Sequence, residues 1–242
     1  MPMNFFLSIV VPCFNEKNVF FANLEKAKIL TREFVDLEII FLDNGSSDGS
    51  REIFKEYEKS KLPGINFSYL RKNNGYGYGI KYALKKNSSE FVGWTHGDGQ
   101  TDLMDIKQAI TILKSNEKVN LVKGLRKNRS KIESFISEFM GKIASFILKL
   151  PLKEINAQPS IYRCSILDEI DSYSDDLLID LDAFVFGTFQ YGQAERFNVF
   201  FPERRYGSSS WNSGLYSKIK FIIHNLKRMF KIRKELLRRS SN

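Results

Sequence analysis

The stretch Gly93–Asp102, GWTHGDGQTD, places a carboxylate and an amide two residues apart, Asp98 and Gln100, with Gly97 and Gly99 around the carboxylate. A bend through those glycines brings a carboxylate oxygen and an amide oxygen onto one cation. Oxygen donors suit Mg2+ or Mn2+, and a neutral imidazole such as His96 is acceptable to Mn2+ but unusual for Mg2+. The same residues also suit a polar turn, with Thr101 or Asp102 capping a following helix. The pattern alone leaves both readings open.

Three more polar stretches carry chemistry-bearing residues. PCFNE holds Glu16, equally a ligand-facing carboxylate or a helix-start carboxylate favoured by the dipole. DNGSSDGS holds Asp43, suited to accept hydrogen bonds from a base or ribose, and Asp48, better read with Ser47 as a helix cap. NNGYGYG has glycines at 75, 77 and 79. It is neither the dinucleotide fingerprint nor a P-loop, and a close backbone approach to a ligand or a helix is its modest reading. Lys123, Arg126, Lys127, Arg129 and Lys131 form a basic cluster, and RRYGSSS adds Arg204 and Arg205. Such clusters are commonly solvated surface, and phosphate contact is the competing reading. Asp180 and Asp182, in DLD, are candidate general bases or ordinary surface and capping acids.

These loops need elements to hold them. FLSIVV, LEIIFL, INFSYL, EFVGW and VNLVKG read as buried strands, and helical patterns lie between them. Pro12 is expected to stop the first strand. Strand–helix alternation over residues 1–125 implies an α/β fold with a mostly parallel sheet and helices on both faces. Ligands of such sheets bind beyond the carboxyl ends of the strands, which is where the four polar loops fall. Their convergence on one crevice is stronger evidence than any single motif. Further on, Ile132–Leu150 reads as a long amphipathic helix carrying Ile132, Phe135, Ile136, Phe139, Ile143 and Ile147, ended by Pro151. INAQPSIYR reads as a loop plus strand, and RFNVFF as another strand leading into a Gly/Ser-rich linker.

The chain has 242 residues, 43% hydrophobic and 27% charged, with 21 Phe, which suits a sizeable packed core. Its two cysteines, Cys13 and Cys164, lack metal-site spacing, so a reducing compartment is expected. The N-terminal stretch reads as a first core strand and not as a signal peptide. Net charge is +9, but residues 215–239 hold nine Lys or Arg against one Glu, and the rest hold 28 basic against 27 acidic. A nucleic-acid binder is therefore not expected. The division expected is 1–212 as the main domain, in halves 1–125 and 126–212, and 213–242 as a basic tail. In that tail Leu215, Ile219, Ile222, Leu226, Met229 and Leu236 share a helical face. The pattern fits an interfacial helix on anionic membrane, or a terminal helix packed on the domain or on a partner.

In chain order, SIVVPCFNE, IIFLDNGSSDGS, NNGYGYGIKYAL, GDGQTD, GLRKNR and RRYGSSSW resemble the family 2 glycosyltransferases. The layout is similar to the polyprenyl-phosphate and dolichol-phosphate sugar transferases. The resemblance implies a GT-A (Rossmann-like) fold, a nucleotide-diphosphate sugar donor and inversion at the anomeric carbon. It implies that Pro12, Phe14 and Glu16 line the nucleoside and that Asp43 contacts the base, with Asn44 where a second Asp is common. Gly75, Lys81, His96 and Gly97 complete the implied donor-binding set. Asp98 and Gln100 match the family's metal motif, with His96 in place of its first Asp, so Mg2+ or Mn2+ is the implied cofactor. Arg126 matches a basic residue near the acceptor phosphate. Arg204, Gly207 and Ser209 match a segment near the donor diphosphate, with Ser210 where Lys is usual.

The expectation is an inverting, metal-dependent glycosyltransferase at the cytoplasmic membrane face, with a polyprenyl-phosphate or lipid-linked glycan acceptor. His96 keeps alive a second reading, a catalytically weak nucleotide-sugar-binding or scaffold protein. A nucleotidyltransferase would carry a Gly/Arg/Lys-rich N-terminal signature, which PCFNEKN is not.

Overall fold

The computed structural model describes residues 5–85, 87–128, 131–201 and 215–240, side chains at 131–133, 215–219, 221 and 240 excepted. In chain order the elements are β1 (Leu7–Cys13), α1 (Lys17–Glu33), β2 (Leu37–Asp43), α2 (Ser50–Glu58), β3 (Ile65–Tyr69), α3 (Tyr76–Leu84), β4 (Phe91–Trp94) and α4 (Asp105–Ser115). There follow β5 (Leu121–Lys127), α5 (Lys131–Leu148), β6 (Ser160–Arg163), a 3-10 stretch (Cys164–Ser172), α6 (Ile179–Tyr191), β7 (Glu195–Phe200) and α7 (Leu215–Ser240).

The strands form one sheet of order β3-β2-β1-β4-β6-β5-β7. β6 runs antiparallel to β4 and β5, and the other pairings are parallel. The sheet is therefore mostly parallel and continuous across the two expected halves. Apolar side chains of β1 alternate between two cores. Leu7, Ile9 and Val11 pack on one face with Phe20, Leu24 and Ile106. Val10 packs on the other with Ile80, Leu84 and α6. Burial on both faces explains the near-continuous apolar runs of the central strands.

β1 does not stop at Pro12; it pairs with β2 as far as Cys13–Asp43. Pro12 is accommodated because its position faces the β4 side, where pairing has already ended at Val10–Trp94.

Of the two long helices, α5 exposes part of its expected apolar set, and α7 takes the packed one of its expected readings. On α5, Ala144 and Leu148 are buried, but Phe135, Ile136 and Phe139 are 69%, 54% and 54% exposed. α7 lies on the domain and not apart from it, burying Met229, Ile232 and Leu236 in the core that also holds Ala144 and Leu148. Arg228 on α7 donates Nε–H to Asp182 Oδ1 at 2.7 Å and Nη2–H to Asp182 Oδ2 at 2.8 Å, and Asp182 has no exposed surface. No helix of the described residues is long and apolar enough to cross a membrane.

Candidate active site

The four polar loops meet at the carboxyl ends of β1, β2, β3 and β4. The first two are stitched together by their own polar groups. Asn44 donates its N–H to Cys13 O at 2.8 Å, Ser47 N–H to Asn15 Oδ1 at 2.8 Å, and Lys17 N–H to Asp48 Oδ2 at 3.1 Å. Asp48 also takes Ser50 N–H at 3.0 Å, so it braces the starts of both α1 and α2.

The loop after β4 folds down on the end of β1. A Cβ on Gly97 would lie 2.3 Å from Pro12 O, so only glycine fits there. Asn23 on α1 secures the same residue by donating to Gly97 O at 3.0 Å. Gly99 has φ +76, a left-handed conformation that glycine adopts without strain. Between them Asp98 Oδ1 accepts Gln100 N–H at 3.0 Å, turning the chain. Asp102 accepts Met104 N–H at 3.0 Å and braces the start of α4.

Cys13 reports the charge of the crevice. Burial pushes its thiol well up, and four carboxylates, Glu16, Asp43, Asp98 and Asp48, push it further. These residues come from three loops. Asp43 is offset by Arg51, and Asp98, half-buried in the loop after β4, is the carboxylate that this loop offers a divalent cation. Among the described residues no cluster of three or more His, Cys, Asp or Glu is placed to hold a metal. The donor set therefore fits a cation such as Mg2+ or Mn2+ that takes one protein carboxylate, Asp98, and completes its shell from phosphate oxygens and water.

Several expected donor-binding residues hold other positions. Asp43 is fully buried, with Ser46 N–H donating to Oδ1 at 2.8 Å and Arg51 Nε–H to Oδ2 at 2.5 Å. In this arrangement it organises its loop and presents no surface to a base. Asn44, also buried, donates to Gly75 O at 3.2 Å. Gly75 and Gly77 serve a close approach within the chain, since a Cβ on either would lie 2.2 Å from Asp175 O or 2.3 Å from Ser174 O. Lys81 is a strut, donating to Tyr173 O at 2.9 Å and pairing with Asp175 at 2.7 Å. By contrast, Phe14 is 44% exposed at the rim, and Pro12, Glu16, His96, Asp98 and Gln100 are half-buried.

On the other side of β4, Phe201 links two expected residues. Its ring lies edge-on to His96 at 6.1 Å, and the Arg126 guanidinium sits 5.3 Å from its centroid. Arg126 is also tied to Glu154, Nε to Oε2, at 2.6 Å. Arg204, Arg205, Gly207, Ser209 and Arg129 lie outside the described residues.

Beneath this rim is a buried polar network that sequence reasoning missed. Trp94 Nε1–H and Gln158 Nε2–H both donate to Asp180 Oδ1 at 2.7 Å, and Asp180 is 2% exposed. Lys123 belongs to this network and not to a surface cluster. It is fully buried, bonded to Ser160 Oγ, and 5.1 Å from the Phe184 ring centroid. Burial lowers its pKa to about 7, against the opposing pull of Asp180. The buried Tyr76 hydroxyl is pushed up by burial and then by Asp180 and Asp98. Asp182 cannot act as a base here: its oxygens are held by Arg228, and Ser174 N–H adds a third bond at 2.7 Å. The hidden signal for Lys123 was its place in the inward register of β5, opposite Ser160.

The family model for glycosyl transferase family 2 matches residues 8–171. The chain belongs to glycosyl transferase family 2. Among curated relatives, this family 2 chain is 27% identical over 128 residues to dolichyl-phosphate beta-glucosyltransferase of Dictyostelium discoideum, covering 49% of this chain and 38% of that one. It is 29% identical over 137 residues to poly-beta-1,6-N-acetyl-D-glucosamine synthase of Staphylococcus epidermidis, covering 57% and 31%. The chain thus spans about a third of the length of these relatives. Among solved structures it is similar to glucosyl-3-phosphoglycerate synthase of Mycobacterium tuberculosis in complex with Mn2+, UDP-glucose and phosphoglyceric acid. That match has a TM-score of 0.69 and 16% identity, and covers 92% of this chain and 79% of that one. This likeness confirms the GT-A fold of the family 2 chain.

Proposed function

We propose that this chain transfers a sugar from a nucleotide-diphosphate donor to a polyprenyl-phosphate or lipid-linked glycan acceptor, with inversion, at the cytoplasmic face of a membrane. The observation that carries the donor half is the meeting of the polar loops at the strand ends, where Gly97 lies against Pro12 O, Asn23 holds Gly97 O, and Glu16, Asp98 and Gln100 are half-buried at the crevice. Half-buried Glu16 and Asp98 there disfavour a bare diphosphate and suit one accompanied by a divalent cation. Solved structures of the fold support this, since the mycobacterial synthase holds Mn2+ with UDP-glucose.

Breaking the sugar–diphosphate bond requires stabilising charge on the leaving phosphate. Mg2+ or Mn2+ at Asp98, with Gln100 beside it, supplies Lewis-acid stabilisation there. Exposed Phe14 and half-buried Pro12 offer an apolar rim for the nucleoside. Arg126, held in place by Glu154 and Phe201, supplies fixed positive charge toward an anionic acceptor. Arg204 and Ser209 are assigned to the diphosphate on the family resemblance alone.

The acceptor half is favoured by the two acidic candidates. Asp180 and Asp182 are 2% and 0% exposed, and both accept hydrogen bonds from neighbouring side chains. A sugar hydroxyl needs a general base, but a lipid phosphate is already a nucleophilic anion. Burial of both carboxylates therefore favours the phosphate acceptor. The resemblance to a dolichyl-phosphate transferase points the same way.

The test is hydrolysis of a panel of nucleotide sugars with Mg2+, Mn2+ or EDTA, then transfer to a short polyprenyl phosphate. Metal-stimulated turnover abolished by Asp98→Ala supports the enzyme. Tight donor binding with no turnover on any donor and acceptor pair supports the scaffold reading, which His96 and the absence of a three-ligand cluster among the described residues favour.

A further inference from the structure

Of the helix face first read as membrane-seeking, Met229 and Leu236 are buried in the core and Leu226 packs against it, with Ile222 left exposed. What otherwise faces outward is a different set of residues. On α5, Phe135, Phe139 and Phe146 are 69%, 54% and 74% exposed. Their spacing of four and seven residues puts them on one stripe, and Lys142 and Lys149 fall on it too. The Phe135 and Phe139 rings are stacked, with centroids 6.3 Å apart and planes at 9°. Lys149 lies with Nζ 4.3 Å from the Phe146 ring centroid. On α7, Ile223, Phe230 and Leu237 are 47%, 58% and 50% exposed at seven-residue spacing, with exposed Lys227 and Lys234 between them.

The two helices are neighbours. α5 packs against α7, and Arg233 donates to Leu148 O at 3.4 Å. Both bury their inner sides in the same cluster, so the two outward stripes belong to one packed helix pair. Exposing six large apolar side chains to water is unfavourable, and monomeric proteins rarely group them so. Lys142 is paired with Glu138 at 2.9 Å, but Lys149, Lys227 and Lys234 are exposed among the apolar residues and select the occupant. Against an anionic bilayer, aromatic rings enter the headgroup boundary while lysine stems extend to the phosphates. A protein groove of ordinary composition offers no such plane of negative charge.

We propose that the joint outward face of α5 and α7 is a docking surface for an anionic lipid bilayer, with the α5 phenylalanines as its anchor. It rests on the membrane attachment proposed above, but assigns that attachment to other residues.

The experiment is co-sedimentation of the full chain with vesicles of phosphatidylglycerol and phosphatidylcholine, against phosphatidylcholine alone. The wild type is expected to bind only the anionic vesicles, less so at high salt. Phe135→Ser/Phe139→Ser/Phe146→Ser is expected to lower partitioning by at least about tenfold. Ile223→Ser/Phe230→Ser is a second variant, in case the first fails to fold, as read by thermal melting. Equal binding of both folded variants and wild type overturns the proposal, as does wild-type binding that ignores lipid charge. A dimer in size-exclusion chromatography that the triple variant abolishes, with no vesicle binding, assigns the face to a second copy and also overturns it. Donor hydrolysis in solution needs no vesicle, so failure of the catalytic reading shows separately.

Discussion

Replacing Arg228 by Met should unfold this chain far more easily than its place on a terminal helix suggests. Asp182 has no exposed side-chain surface, and Arg228 is itself only 12% exposed. Arg228 supplies two of the bonds to that carboxylate, and Ser174 N–H supplies the third. Without the guanidinium, a buried anion keeps a single neutral donor. Breaking a buried pair from one side costs about 3–5 kcal/mol, a fifth or more of the roughly 5–15 kcal/mol that holds an ordinary domain. With a urea slope of about 3 kcal/mol per molar, the midpoint falls by roughly 1–1.7 M. The double variant Asp182→Leu/Arg228→Met removes both charges and should recover to within about 1 kcal/mol of wild type. Urea unfolding followed by tryptophan fluorescence measures all of these, Trp94 being buried nearby and bonded to Asp180. A shift under about 0.3 M for Arg228→Met, or a double variant as weak as the single, refutes the argument that the pair is electrostatically isolated from water.

Asp98→Ala should abolish metal-stimulated donor hydrolysis and leave the melting temperature nearly unchanged; isothermal calorimetry with Mn2+ and nucleotide checks the binding step. Gly97→Ala forces a Cβ to within 2.3 Å of Pro12 O, and should cost about 1–3 kcal/mol together with donor affinity, read by denaturation and donor titration. Lys123 has a folded pKa lowered to about 7 from an ordinary 10.5, so between those values the unfolded chain binds more protons and stability rises with pH. Lys123→Met should therefore be stabilising relative to wild type near pH 6.5 and lose much of that advantage by pH 10, by urea midpoints at each pH. Cys13, buried and ringed by carboxylates, should react with a thiol reagent at pH 8 many times more slowly in the native than in the denatured chain.

The strand ends were legible in the sequence because parallel strands buried on both faces leave unbroken apolar runs, and their loops must be polar. VNLVKG, LEIIFL and EFVGW read directly as β5, β2 and β4. α6 was not legible. All of Ile179–Thr188 is buried, including Asp180 and Asp182, so no polar face marks a helical period. On α5 the period was visible, and Ile143 and Ile147 pack on the core, but the exposure of Phe135, Ile136 and Phe139 was not legible, since Phe on an outward stripe looks the same in a sequence as Phe in a core. NNGYGYG showed that backbone must approach something closely, and only the structure says that the something is Ser174–Asp176. Lys123 and Asp182 were misread for one reason: charges that are compensated by distant partners, Asp180 or Arg228, carry no local mark.

The antiparallel β6 sits between β4 and β5, so the strand that joins the two sides of the sheet is made late. When a ribosome has released the first 125 residues, β4 has no neighbour on that side and β5 has nothing to pair with. The apolar edges stay open until Ser160–Arg163 emerges and slots between them. Synthesis at about 5–20 residues per second leaves that gap for some seconds, a window in which a chaperone, or an aggregating neighbour, meets an unfinished sheet. Circular permutants opening the chain between α5 and β6 move β6 to the start of translation and should shorten that exposure.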